Sequence, residues 1–246
     1  MNGTFRHEQK YFINMQDAAL LRARLLPVIK KDEHAGEKGE YWIRSLYFDD
    51  CRSSAYEEKD MGIMSRKKYR IRVYECSDKI IRLERKNKVG PYINKQSAPL
   101  TRDETEKILA GDYEFMRDSG HQLLREFYFE CISNIMRPRV IVDYDREPFV
   151  LTEGDVRITF DKHIRAGLGG FELFDRELPT IETLPVNIMV LEVKFTEFLP
   201  EIVKRALRCL PNEMTAASKF VLCCDVAQGV HGLDSASYLP LNKYLR

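Results

Sequence analysis

The sequence predicts an α+β chain: one antiparallel sheet, closed or nearly closed, with helices packed outside and charge enclosed within. Three observations carry that expectation. Ten segments alternate with period two, against four with helical periodicity. No Pro/Gly-rich linker, internal repeat or low-complexity stretch divides the 246 residues. The polar face of strand after strand carries Arg and Lys, where a sheet facing water would mix Thr, Ser, Lys and Glu.

The helices come first. Asn14–Lys31 opens on Asn14 or Asp17 as cap and lines up Ala18, Leu21, Leu25 and Ile29. Thr101–Ala110 opens on a Thr101/Glu104 capping box and stops near Gly111. Gly120–Met136 carries Leu123, Leu124, Phe127, Cys131 and Ile135. Pro200–Cys209 carries Ile202, Val203, Ala206 and Leu207. The strands expected are Thr4–Ile13, Glu40–Phe48, Arg66–Glu75, Lys79–Lys88, Tyr92–Ser97, Arg137–Arg146, Asp155–Phe160, Glu172–Asp175, Met189–Phe195 and Lys219–Cys224. Gly90-Pro91 is a hairpin turn between two of them.

Composition narrows the class. Lys and Arg number 39 against 38 Asp and Glu, so the net charge is +1 and bulk electrostatics does not predict nucleic-acid binding. An aromatic content of 11% excludes a disordered chain. No apolar run approaches the ~18–20 residues of a membrane span, and MNGTFRHEQK has no apolar signal core. The six cysteines (51, 76, 131, 209, 223, 224) form no CxxC pair and read as reduced thiols of a cytoplasmic protein.

Parity then assigns faces. Lys68, Arg70, Arg72 and Tyr74 share one side of a strand, and Tyr69, Ile71 and Val73 the other. Arg82, Glu84 and Lys86 share a face, as do Arg157, Thr159 and Asp161, Glu192 and Lys194, and Arg6, Glu8 and Lys10. A single such strand would be a solvated face. Across five or six strands, with amphipathic helices that need an apolar sheet surface to cover, the charges are expected inside a barrel. An enclosed cationic lumen is costly unless something anionic fills it. A chain of phosphates with a divalent metal fits, since Arg and Lys bind phosphate oxygens and carboxylates hold the metal.

The segments RHEQKYFI (6–13), SLYFDD (45–50), KYRIRVY (68–74), RLERKNK (82–88), VDYDREPF (142–149), VRITFDK (156–162), VLEVKF (190–195) and ASKF (217–220) carry a family resemblance. In this order they resemble the polyphosphate polymerase domain of the vacuolar transporter chaperone complex, a branch of the triphosphate tunnel metalloenzymes. The resemblance covers roughly residues 4–224. It implies a domain over 1–226 followed by a C-terminal tail, 227–246. It implies a barrel tunnel that binds ATP and polyphosphate, transfers the γ-phosphoryl group to a growing polyphosphate chain, and uses Mn²⁺ or Mg²⁺.

Carried over by motif, the phosphate-handling residues are Lys10, Arg70, Arg72, Lys86, Arg146, Arg157, Lys194 and Lys219. Glu8, Glu84, Lys95 and Ser218 accompany them at the substrate, and Glu192 is the metal ligand. Arg6 stands where the hydrolase branch has the first Glu of its ExExK motif, which favours the polymerase branch over a CYTH-type triphosphatase. Ala216 stands where the polymerases carry a second lysine. The phosphate-sensing module and membrane helices of the eukaryotic complex do not occur in this sequence, so coupling of synthesis to translocation is not assumed. A metal-dependent inorganic or nucleoside triphosphatase, and a non-catalytic polyphosphate-binding module, remain as alternatives.

Several features carry competing readings. Arg70 and Arg72 lie about 6.5–7 Å apart along one face, a spacing that suits adjacent phosphates, although a surface pair would look alike. Glu192 is either a metal ligand or a counter-ion to Lys194. Asp143 and Asp145 fall opposite Arg146 and read as exterior salt bridges. The stretch AGLGG (166–170) lacks the Lys-Ser/Thr of a P-loop and reads as a hairpin at the tunnel mouth. Tyr41, Tyr47 and Tyr74 share the polar parity and could stack on a base. Trp42 reads as core, and the five histidines as surface or structural.

Overall fold

The computed structural model describes residues 6–90, 92–208, 210, 214–215 and 217–231. Ten strands lie among them: β1 (Arg6–Asn14), β2 (Lys30–Lys31), β3 (Tyr41–Asp49), β4 (Ser65–Tyr74), β5 (Ser77–Val89), β6 (Tyr92–Leu100), β7 (Arg137–Leu151), β8 (Val156–Gly167), β9 (Thr180–Glu182) and β10 (Ile188–Phe195). The α-helices are α1 (Met15–Leu25), α2 (Ser54–Asp60), α3 (Arg102–Ala110), α4 (Gln122–Ser133), α5 (Glu201–Leu207) and α6 (Lys219–His231).

The sheet closes on itself. Its neighbours run β7-β3-β4-β5-β6-β1-β10-β8, and β8 pairs back to β7, so eight strands form a ring. Every pairing is antiparallel. The ring's shortest pairing is β1 with β6, through Arg6↔Ile93 and His7↔Tyr92 alone. Beyond it the Thr215 N–H donates to the Lys10 carbonyl at 2.7 Å, so the segment before α6 runs beside β1. Closure removes the exposed edges that an open sheet would present.

Local signals start the helices as expected, but α1 ends at Leu25 rather than at Lys31, because Lys30–Lys31 leaves the helix to pair with β7 as β2. Asn14 accepts from the Asp17 N–H and starts α1. Thr101 and Glu104 form the capping box of α3, and Gly111 ends it in the left-handed region at φ 83°. The outer sheet face is apolar and the helices cover it in two patches. Leu46, Ile71, Leu83 and Ala98 cluster with Ile108 of α3 and Leu124 and Phe127 of α4. Ile158, Phe160, Leu191 and Val193 cluster with Leu21 and Leu25 of α1 and Val203 of α5.

Other elements differ from expectation. Lys219–Cys224 is not a strand but the start of α6. Phe220, Val221, Leu222, Cys223 and Cys224 are all buried, and a helix apolar all round looks like a strand in a short window. α6 also does not lie outside. It packs with Ile43, Val142, Ile164 and Val190, which face the interior of the barrel, and its Cys223 thiol meets the Arg165 carbonyl at 3.5 Å. It therefore fills one end of the ring. It also takes in residues 227–231 of the expected tail; Tyr238, Leu241, Tyr244 and the rest of 232–246 lie outside the described residues.

Glu172–Asp175 is a turn and not a strand. Its carbonyls at Glu172 and Asp175 accept from the buried Arg44 guanidinium, which replaces ladder bonds. The same Arg44 grips Asp143 at 2.8 Å on the outer face; the pair is exterior to the barrel, yet wholly buried under this turn. Trp42 is only half-buried, with the Arg44 and Arg165 guanidiniums 5.0 and 5.9 Å from its ring. AGLGG begins as the end of β8, paired to β9, and does not line the central cavity. A Cβ on Gly167 would stand 2.8 Å from Ile141 Cβ, so close packing keeps that position bare. The described cysteines are free thiols, and no helix among the described residues is long and apolar enough to cross a membrane.

The two faces of β4 make the orientation testable. Ile71 is fully buried on the outer face. Ile71→Asp is expected to cost about 3 kcal/mol or more in urea unfolding, because it places a carboxylate under α4 with no cation to meet it. An unchanged unfolding midpoint would mean that this face is not packed.

Candidate active site

The inward parity of eight strands converges on one cavity of about 530 Å3. Thirteen Lys and Arg side chains line it, against two carboxylates, Glu8 and Glu192, so only an anion matches its charge. β4 contributes Lys68, Arg70 and Arg72, β5 Lys86 and Lys88, and β6 Lys95. β1 contributes Arg6, Glu8 and Lys10, and β10 Glu192 and Lys194. Arg146 comes from β7, Arg157 from β8, and Ser218 and Lys219 from the start of α6.

These cations stay together because buried carboxylates separate them. Glu84 accepts from Arg70 at 2.8 Å and Lys95 at 2.7 Å, with Arg72 at 3.8 Å. Glu192 meets Lys219 at 2.6 Å, Lys194 at 2.7 Å, Lys10 at 3.4 Å and Arg146 at 3.5 Å. Asp161 takes both forks of Arg146 at 2.7 Å and Lys219 at 2.6 Å. Glu8 takes Lys86 at 2.7 Å.

Burial alone would raise all four carboxyls. The facing cations override it: Lys194, Lys219, Lys10 and Arg146 hold Glu192 well below the usual carboxylate range. Arg70, Arg72 and Lys95 lower Glu84, Arg146 and Lys219 lower Asp161, and Lys10, Lys86 and Lys194 lower Glu8. Such groups add stability above their ordinary pKa of about 4 and lose it as acid reaches their depressed values.

Lysines divide by their surroundings. Asp161 and Glu192 outweigh burial and push Lys219 up. Burial drives Lys86 down to about 7, helped by the ammoniums of Lys10 and Lys194 and only partly opposed by Glu8 and Glu192. Burial likewise lowers Lys194.

Arginines on one half of the ring lean on tyrosines. Arg70 donates to the Tyr47 phenol oxygen at 2.7 Å, Arg72 to Tyr144 at 3.0 Å and Arg157 to Tyr41 at 3.1 Å. Arg157 also pairs with Asp32 at 2.7 Å. Ser45 accepts from Arg72 at 3.1 Å.

Twelve of the thirteen residues singled out in the sequence line this cavity; Glu84 sits just behind the surface, under Arg70 and Lys95. Arg82, on the same parity as Glu84 and Lys86, is exposed near the outer part of β5. Sequence reasoning passed over Arg66, Lys88 and Tyr144, and gave Asp161 a face but no role. Parity offered all four, since Arg66 continues Lys68–Arg72, Lys88 continues Glu84–Lys86, Asp161 continues Arg157–Thr159, and Tyr144 stands two residues before Arg146. Ala216 lies outside the described residues.

Hard divalent cations take oxygen ligands. The lumen offers the Glu8 and Glu192 carboxylates, each already against lysines, and no group of three His, Cys, Asp or Glu side chains among the described residues forms a ready metal centre. The donor set therefore fits a metal that arrives with phosphates, whose oxygens complete its shell and whose charge occupies the lysines.

A closed eight-stranded antiparallel barrel around a cationic lumen defines an anion-binding barrel. The VTC domain model matches residues 5–228, and the chain belongs to that family. No curated protein matches it. Among solved structures it is similar to a Hippeastrum protein described as a putative adenylyl cyclase with a dominant triphosphatase activity. Identity is 14%, over 89% of this chain and 94% of that one, with a TM-score of 0.54. A putative adenylate cyclase from Bacillus halodurans matches at 14% identity over 85% of this chain and 88% of that one, with a TM-score of 0.48. At 14% identity the likeness to the Hippeastrum protein is one of fold alone.

Lys86 supplies a pH test. Between pH 7 and 10 it is neutral when folded and charged when unfolded, so it contributes stability as pH rises through that window. Anion binding behaves oppositely. Affinity for tripolyphosphate is expected to fall as pH rises through about 7, with proton uptake on binding, and Lys86→Met should remove that step. Titration calorimetry in buffers of different ionisation enthalpy reads the proton count.

Proposed function

We propose that the protein is an ATP-dependent, metal-dependent polyphosphate polymerase that transfers the γ-phosphoryl group to a growing polyphosphate chain. The observation that carries this reading is the lumen itself, thirteen cations and two carboxylates around about 530 Å3. Family membership supports a phosphate polymer as substrate.

Phosphoryl transfer asks for positioning and charge neutralisation more than for a covalent residue. The bond from the γ-phosphorus to its bridging oxygen breaks as a terminal oxygen of the chain bonds to that phosphorus, and ADP leaves. That attacking oxygen is already an anion at neutral pH, so no strong general base is needed. Arg70 and Arg72 hold neighbouring phosphates with planar forks. Lys10, Lys194 and Lys219 neutralise charge that gathers on the oxygens of the transferred group. Asp161 and Glu84 keep the arginines aimed. Glu192, with Glu8, would hold the divalent cation, which when bound neutralises phosphate oxygens and polarises the phosphorus.

A metal-dependent triphosphatase is the second reading, and the position of α6 favours it. A helix filling one end of the barrel suits a reaction whose substrate enters and leaves by one opening. Incubation with ATP and Mn²⁺ separates the two: long chains on a gel mean polymerase, orthophosphate alone means hydrolase, and tight binding without turnover means a binding module.

Two substitutions test the residue roles. Arg70→Ala is expected to weaken tripolyphosphate binding about tenfold or more with little change in melting temperature, since Glu84 keeps Lys95. Unchanged affinity would remove Arg70 from the substrate. Glu192→Gln keeps the shape and removes the charge. Turnover should fall by orders of magnitude and the Mn²⁺ midpoint rise, while metal-free tripolyphosphate binding holds or improves. Parallel activity curves with one Mn²⁺ midpoint would rule out the ligand role.

A further inference from the structure

We infer that Tyr47, Tyr144 and Tyr41 bind the phosphates directly, each phenol accepting an arginine N–H on its oxygen and donating its own O–H in a hydrogen bond to a phosphate oxygen. The inference rests on the phosphate-polymer reading of the lumen and assigns it a set of neutral donors.

The hydrogen-bond accounting points there. A phenol has one O–H to donate and lone pairs to accept. The oxygens of Tyr47, Tyr144 and Tyr41 accept from Arg70, Arg72 and Arg157 at 2.7, 3.0 and 3.1 Å. Among the described residues none of the three donates to a protein acceptor, and all three line the cavity. By contrast, the phenols of Tyr11, Tyr56 and Tyr128 spend their protons on Gln9, Asp225 and Glu114. The lumen phenols thus hold an unspent donor beside each guanidinium.

Their rings are otherwise engaged, which argues against stacking on a base. Tyr47 packs on Phe220 at 5.1 Å between centroids, and Tyr41 meets Tyr74 edge-on at 5.7 Å. Tyr144 is 3% exposed, with Arg146 and Lys219 at 5.1 and 5.0 Å from its ring. Burial pushes the Tyr41 phenol above its ordinary value, so it keeps its proton at neutral pH. Pairing a cation with a neutral donor also gives a phosphate a second bond without crowding in another charge.

Titration of tripolyphosphate in the absence of metal tests it. Tyr47→Phe and Tyr144→Phe are each expected to bind about tenfold more weakly, with Tyr41→Phe as a third variant should either fail to fold. Loss of the acceptor for the arginine would weaken binding too, so the deciding measurement is a double-mutant cycle. In an Arg70→Ala background, Tyr47→Phe should still cost several-fold. No further loss there would make Tyr47 only a support for Arg70 and overturn the inference. So would a loss seen with ATP but not with tripolyphosphate, which would place the rings at the base. Wild-type protein that does not bind tripolyphosphate would instead overturn the phosphate-polymer reading itself.

Discussion

The structure depends on one electrostatic constraint: many cations must share an enclosed space without an occupant. Like charges in low dielectric repel strongly, and an unpaired buried ion costs several kcal/mol. Glu8, Glu84, Asp161 and Glu192 meet that constraint, each pairing with two or more lysines or arginines. Because each hub joins side chains from different strands, the carboxylates also tie the barrel's wall together. Glu192 links β10 to β7, β1 and α6; Glu84 links β5 to β4 and β6.

The same arrangement leaves surplus positive charge, and the surplus is the binding potential of the site. A phosphate entering here does not create an ion pair in empty space. It takes over cations already held in place, so little ordering remains to be done on binding. Lys86 and Lys194 sit at the unstable end of this balance, since burial disfavours their charge before an anion arrives.

The halves of the ring are built differently. On β3, β4, β7 and β8 the lumen is mostly arginine backed by tyrosine, with fork geometry fixed by Tyr47, Tyr144, Tyr41 and Asp161. On β5, β6, β1 and β10 it is mostly lysine against glutamate, with a flexible ammonium beside each carboxylate. Planar forks suit fixed phosphate positions, and point charges on long stems adapt to a moving or metal-bound one.

By itself the sequence determined which side chains share a strand face. Period two is a property of the extended backbone, so Lys68, Arg70 and Arg72, or Glu192 and Lys194, could be put on one side without any knowledge of their neighbours. The helix caps at Asn14 and Thr101 were equally local. Partners across strands were not, because Asp161 meets Arg146 and Lys219, and Tyr144 meets Arg72, only once register is set. A bulge at β7–β8, where His163 takes φ 49°, reverses parity and turns Ile164 and Ala166 inward, which no alternation rule foresees. The short apolar run from Phe220 to Cys224 fits a strand or a buried helix equally well. Only the barrel interior, which offers it apolar side chains on several sides, decided that it is a helix.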